Sequence, residues 1–211
     1  MTVSGFTFNP FSENTYLLHD ATNECVIVDP GCYEPAEQQA LRQFIEDEGL
    51  KVVLLVNTHA HIDHVLGNQF VLDTYKVPFL LHEADLPTLR AVPTYAANYG
   101  FPQYNPAEPT GTLTAGTPVK FGNTELEVRF APGHAPGHVV FYHDPTATVI
   151  GGDVLFQGSI GRTDLPGGDH ATLISSIKSQ LLTLPDDTTV YPGHGPATTV
   201  GQERRTNPFL Q

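Results

Sequence analysis

Apolar and polar positions along the chain follow two periods, and the switches between them mark out its elements. Three short runs rich in β-branched and aromatic residues, Val3 to Phe8, Thr15 to His19 and Cys25 to Asp29, read as strands, the last closing at the turn Asp29-Pro30-Gly31. The period then lengthens. Pro35 suits the first turn of a helix, and Ala36, Ala40, Leu41, Phe44 and Ile45 recur at helical spacing up to Gly49. Lys51 to Val56 is a strand, Val65, Leu66, Phe70 and Val71 give a second helical pattern, and Pro78 to Leu81 is a further strand before a short helix opening at His82-Glu83-Ala84-Asp85. From Ala91 to Pro118 the pattern weakens into Pro, Gly, Thr, Tyr and Asn, which predicts a long surface excursion. Its aromatic residues Tyr95, Tyr99, Phe101 and Tyr104 either wall a substrate cleft or pin the loop to the body.

Alternation resumes in the second half. Strands are predicted at Val119 to Phe121 and Glu125 to Phe130 around a Gly122-Asn123 turn, then at Val139 to His143, Thr148 to Ile150 and Thr188 to Tyr191. A Gly-rich loop from Gln157 to Asp169 precedes an amphipathic helix from about His170 to Leu182, whose buried face is Leu173, Ile174, Ile177 and Leu181. A final helical turn lies around Gly201 to Arg205. Strands interleaved with helices give an α/β class, read as a single domain over residues 1–211.

Composition narrows the function. A formal charge of −13, from 10 basic against 23 acidic residues, is the opposite of a phosphate-binding footprint and excludes nucleic acid as the expected partner. No stretch approaches the roughly 18 apolar residues of a membrane span, and Met1-Thr-Val-Ser-Gly-Phe lacks the basic start and apolar middle of a signal peptide. A cytoplasmic protein with no membrane association and no obligate protein partner is expected. Cys25 and Cys32 do not make a disulfide framework and are read as packing residues.

The candidate chemistry is concentrated between Asn57 and His64, Asn-Thr-His-Ala-His-Ile-Asp-His, on a strand-to-helix loop. If the segment is extended, His59 and His61 leave the backbone on one side and one ion can take both. Asp63 and His64 are aimed differently and suit a second ion close by, while Asp63 also favours the following helix N-terminus. Imidazole with carboxylate fits zinc, iron or manganese better than calcium or magnesium. Three further candidates, His134, Asp153 and His194, lie at strand ends beside glycines. His19, His82, His143 and His170 read as polar residues at strand ends or on the surface.

The ordered set HxHxDH, then His134, Asp153 and His194, resembles the metallo-β-lactamase superfamily over nearly the whole chain. That resemblance implies an αββα four-layer sandwich, two mixed sheets face to face with helices outside. It also implies two divalent metal ions, zinc first, with iron or manganese as alternatives. His59, His61 and His134 would hold one ion, Asp63, His64 and His194 the other, and Asp153 would bridge them, so that Asp63 and Asp153 are the catalytic carboxylates. Within the superfamily, Asn9-Pro10-Phe11, Asp29-Pro30-Gly31, Pro132 to His138 and Pro192 to Pro196 look like the glyoxalase II-like hydrolases of the short bacterial type.

The implied reaction is thioester hydrolysis by a metal-bound hydroxide, as in S-D-lactoylglutathione to D-lactate and glutathione. Arg162 is the candidate substrate-binding residue, anchoring a carboxylate or else pairing with Asp164 or Asp169. His138 is expected to orient the ligand loop as a hydrogen-bond donor. Gly195 and Pro196 stand where glyoxalase II has glutamate and tyrosine, and the basic C-terminal helical domain of that enzyme is missing, so glutathione should bind weakly. Gly161-Arg162-Thr163-Asp164 looks like a loop of persulfide dioxygenases, whose single iron would here be held by His59, His134 and Asp153. A non-catalytic metal- or ligand-binding protein is the third reading.

Overall fold

Six strands of the N-terminal half join one mixed sheet in sequence order. The computed structural model describes residues 1–211, which divide into two compact units: Met1–Leu113 with Lys120–Thr124, and Thr114–Val119 with Glu125–Gln211. In the first, β1 (Thr2–Phe8), β2 (Glu13–His19) and β3 (Glu24–Val28) form an antiparallel meander. Helix α1 (Pro35–Asp47) then carries the chain to β4 (Lys51–Val56), parallel to β3, because parallel neighbours need a crossover too long for a tight turn.

The histidine-bearing loop follows β4. Beyond it the helical pattern breaks into α2 (Ile62–Val65) and α3 (Asn68–Tyr75). The break falls at Gly67, whose N–H donates to the carbonyl of Pro30 at 2.7 Å. A Cβ there would sit 2.6 Å from Cys32 Sγ, so only glycine allows this approach to the turn after β3. Cys25 and Cys32 are buried and reduced, as packing residues should be, and burial pushes the Cys25 thiol up to about 12. Strands β5 (Phe79–His82) and β6 (Gly111–Leu113) extend the parallel part of the sheet. Leu17, Ile27, Leu55 and Phe79 are fully buried, with Leu41, Ile45 and Val71 of the helices in the same core.

The excursion expected over 91–118 is more ordered than its composition suggests. Helix α4 (Leu86–Tyr95) runs through Pro93, a 3₁₀ turn covers Ala96–Tyr99, and β6 lies within the supposed loop. Proline removes a helical N–H and normally ends a helix. Here Leu89, Val92 and Ala96 bury one face and hold the last turn in place.

In the second sheet the order is β14-β13-β10-β9-β8-β7. Its strands are β7 (Val119–Phe121), β8 (Thr124–Phe130), β9 (Val139–His143), β10 (Thr148–Gly152), β13 (Thr189–Pro192) and β14 (Thr198–Thr199), while β11 (Leu155–Phe156) and β12 (Ser159–Ile160) make a separate small hairpin. β10 and β13 run parallel in this sheet, which makes it mixed. Their crossover includes α5 (His170–Ser176), capped by Asp169 accepting from Thr172 N at 2.7 Å. The helix expected to reach Leu182 loosens after Ser176 into a π-type turn, Ile177–Leu181. Helix α6 (Val200–Thr206) closes the unit. Its core holds Val140, Val149, Val190, Leu173, Ile177 and Leu181. No helix is long and apolar enough to cross a membrane.

Candidate metal centre

The loop leaving the C-terminal end of β4 brings three imidazoles together. The ring of His59 lies 4.8 Å from that of His61 and 4.2 Å from that of His64, centroid to centroid. Asp63 Oδ2 is 3.6 Å from His64 Nε2. Buried Asp29 holds this loop. Its Oδ1 accepts from Thr58 N at 2.7 Å and Asn57 Nδ2 at 3.2 Å, and its Oδ2 accepts from Thr58 Oγ1 at 2.6 Å and faces His64 Nδ1 at 3.2 Å. Asn57 Nδ2 also donates to the carbonyl of His64 at 2.8 Å, closing the loop on itself. From the other side, buried Asp85 accepts the N–H of Ala60, between the first two histidines, at 2.8 Å.

Counting protons assigns the ring tautomers. Thr58 gives its only hydroxyl proton to Asp29, so its oxygen must accept from His59 Nδ1, 3.0 Å away. His64 likewise donates from Nδ1 to Asp29. In the neutral form of both rings Nε2 is then the nitrogen with the lone pair, the form in which imidazole ligates a metal, with the other nitrogen oriented by a protein acceptor. Donor atoms of Asp29, His59 and His64 lie within 4.8 Å of one another. We read Asp29 as the support of that group and not as its ligand, since both its oxygens already serve protein donors.

Beneath the same turn, Thr15 Oγ1 accepts from Gly31 N and lies 2.9 Å from Glu13 Oε2. Glu13 is wholly buried, and desolvation pushes its carboxyl well above the usual carboxylate range.

In the second unit Asp153 is the meeting point. Its Oδ2 lies 3.6 Å from His134 Nε2 and 3.5 Å from His194 Nε2. His134 Nδ1 donates to the carbonyl of Arg162 at 2.8 Å, which in the neutral ring again leaves the lone pair on Nε2. His138 Nε2 accepts the backbone N–H of Asp153 at 3.0 Å, so it holds the segment that presents this carboxylate, through this nitrogen as an acceptor and not as the expected donor. A Cβ on Gly161 would meet the Asp153 carbonyl at 2.0 Å and His134 Nδ1 at 3.1 Å, which is why a glycine precedes Arg162. The Phe156 ring stands 6.4 Å from that of His194. The Arg162 guanidinium forms a two-bond fork with Asp164, both at 2.7 Å, holding the Asp164 carboxyl down at about 2.

Each unit thus presents a set of buried or half-buried imidazoles and carboxylates at strand exits, and the chain carries groups of such side chains able to hold metal ions. A sequence model of the metallo-β-lactamase superfamily matches residues 8–194. The chain belongs to the metallo-β-lactamase superfamily. Its two mixed sheets with flanking helices are those of the superfamily fold, and it is a metallo-hydrolase of that group. Hydroxyacylglutathione hydrolase GloC of Haemophilus influenzae is 39% identical over 202 residues, 95% of this chain and 93% of that one. The crystal structure of BLEG-1 B3 metallo-β-lactamase is similar over 100% of both chains, with a TM-score of 0.91 and 38% identity. The di-iron-bound crystal structure of TTHA1623 covers 99% of this chain and 100% of its own, with a TM-score of 0.89 and 41% identity.

Several residues that shape this superfamily site carry no ligand signature in the sequence. Asp29 reads there as a turn residue, Asp85 as the start of a short helix and Glu13 as a strand position. The structure shows what the sequence does not: Asp29 takes φ 49°, a conformation L-residues seldom adopt and one that needs compensating contacts.

Proposed function

We propose that the chain hydrolyses thioesters at a dinuclear metal centre, working as one functional domain over residues 1–211. His59, His61 and His134 would hold one ion, Asp63, His64 and His194 the second, and Asp153 would lie between them. The observation that carries this reading is the tautomer pattern. His59, His64 and His134 each commit Nδ1 to a protein acceptor, which in the neutral ring leaves the lone pair on Nε2. That is the arrangement of imidazole ligands and not of surface histidines. Identity to a hydroxyacylglutathione hydrolase along most of both chains supports the substrate class, and the di-iron form of TTHA1623 supports a pair of ions.

When bound, such ions make water available as hydroxide near neutral pH and polarise the carbonyl of the substrate. The chain's own part is to place them: Asp29 and Asp85 fix the loop of His59 to His64, and His138 and Gly161 fix Asp153 and His134. Water adds its oxygen to the thioester carbonyl carbon, the C–S bond breaks, and the two protons of that water end on the carboxylic acid and the thiol. Arg162 would exchange its fork on Asp164 for a carboxylate of the substrate.

The test is metal content per chain measured beside thioester hydrolysis and oxygen consumption, for protein loaded with zinc, iron or manganese. We expect close to two ions per chain, hydrolysis that chelation abolishes, and loss of turnover in His61→Ala. Oxygen uptake with a persulfide by the iron form, without thioester cleavage in any metal form, would instead establish a dioxygenase.

A further inference from the structure

Beside the histidine loop, the first unit carries aromatic rings of two kinds. Phe101 is only 2% exposed and packs edge-on against Tyr33 at 4.9 Å, and the Tyr33 hydroxyl accepts from Gln103 N at 3.0 Å. These contacts pin the segment after α4. Phe11 and Tyr99, by contrast, are 41% and 52% exposed although their rings lie 6.3 Å apart and Phe11 also rests 5.9 Å from Phe101. Tyr95 extends the row, edge-on to Tyr99 at 5.5 Å. Exposed aromatics seated on a pinned base keep apolar area in water at little further entropic cost on binding, which is a property of a recognition surface.

The row is tied to the site loop. Asn9 Nδ2 donates to the carbonyl of Asp63 at 3.1 Å, while Asn9 Oδ1 accepts from Phe11 N at 3.0 Å, so one side chain couples Phe11 to a candidate ligand.

The basic residues near enough in sequence to serve this row are engaged elsewhere: Arg42 over the Phe70 ring, Lys51 with Glu24, Lys76 with Asp73 and Arg90 with Glu108. The row itself offers a carboxylate-bearing arm of a substrate tyrosine hydroxyls and ring faces but no positive charge.

We infer that Phe11, Tyr95 and Tyr99 form a specificity surface for an uncharged apolar substituent, aryl or branched alkyl, on the acyl group of the substrate. The inference rests on the thioester reading and narrows it: among 2-hydroxyacyl thioesters, those with a bulky apolar acyl side chain are preferred over the lactoyl compound.

The experiment compares S-mandeloylglutathione with S-D-lactoylglutathione, in metal-loaded wild type, Phe11→Ala, Tyr99→Ala and the shape-conserving Tyr99→Phe. The ratio of kcat/KM for mandeloyl over lactoyl should fall by about tenfold in each alanine variant, the scale on which small apolar contacts discriminate substrates, and stay near the wild-type value in Tyr99→Phe. Calorimetric binding of mandelate against lactate to the same metal-loaded proteins supplies a readout independent of turnover. Tighter mandelate binding that the alanine variants lose supports the surface even if neither thioester is cleaved, the outcome that would sink the thioester reading alone. Hydrolysis of both thioesters with an unchanged ratio, or equal affinity for the two acids in wild type, overturns the inference and leaves thioester hydrolysis standing.

Discussion

Asp29 Oδ2 faces His64 Nδ1 at 3.2 Å while the same oxygen accepts the Thr58 hydroxyl at 2.6 Å. One buried carboxylate therefore sets the orientation of His64 directly and that of His59 through Thr58. In Asp29→Asn the amide nitrogen would confront either the His64 N–H or, in the flipped orientation, the Thr58 N–H, so one anchor of the loop is lost in both. Metal affinity should fall by about 10- to 100-fold, the usual consequence of losing an outer hydrogen-bond partner. Competition against a chromophoric chelator measures it, and unchanged affinity would remove Asp29 from the support of the ligands.

Asp153 stands within 3.6 Å of Nε2 of His134 and of His194. If it bridges two ions, Asp153→Ala should deplete both together, leaving well under one ion per chain by elemental analysis under conditions that give wild type close to two. Retention of one full equivalent would place the carboxylate on a single ion.

Asp85 accepts the N–H of Ala60 from a fully buried position. Removing the acceptor in Asp85→Ala leaves that N–H buried and costs about 1–3 kcal/mol, read as a lower urea midpoint for metal-free protein. Asp85→Asn keeps a carbonyl oxygen for Ala60 and should lose less. Equal stability of wild type and Asp85→Ala would show that water replaces the bond.

Asp20 accepts from Thr22, Asn123 and Thr124, and these hydrogen bonds, that of the Thr22 hydroxyl foremost, pull its carboxyl down to about 2. The unfolded chain titrates near the ordinary aspartate value of about 3.9. The folded value being the lower, the stability Asp20 contributes is complete above about pH 4 and is lost as pH falls towards about 2. The stability difference between wild type and Asp20→Asn should therefore shrink across that interval. A difference that stays constant from pH 5 to 2 would remove Asp20 from the acid response.

Much of this was legible before any coordinates. Residues whose chemistry is local announced themselves: His59, His61, Asp63 and His64 crowd one loop after a β-branched strand, and the glycines beside His134, Asp153 and His194 mark strand exits. The main strands and α1 followed from apolar periodicity, because burial on one face or on both writes that period into the chain. Most of the shortest elements did not, β7 excepted. β6, β11, β12 and β14 have two or three residues each, too few to show a period, and α4 runs through Pro93, where local propensity argues against helix and buried contacts prevail.

The support of the ligands belongs to tertiary structure alone. Asp29 and Asp85 act 29 and 25 residues away from Thr58 and Ala60, and nothing in the sequence distinguishes them from a turn residue and a helix start until folding brings them to the loop. For Tyr95, Tyr99, Phe101 and Tyr104 the sequence leaves two readings open, walling a cleft or pinning the loop. Packing separated them, burying Phe101 and leaving Tyr99 in water. Sequence by itself determined which side chains could meet a metal or a substrate, since that depends on their chemistry and local spacing. Which of them are held still, and by what, depended on distant residues becoming neighbours.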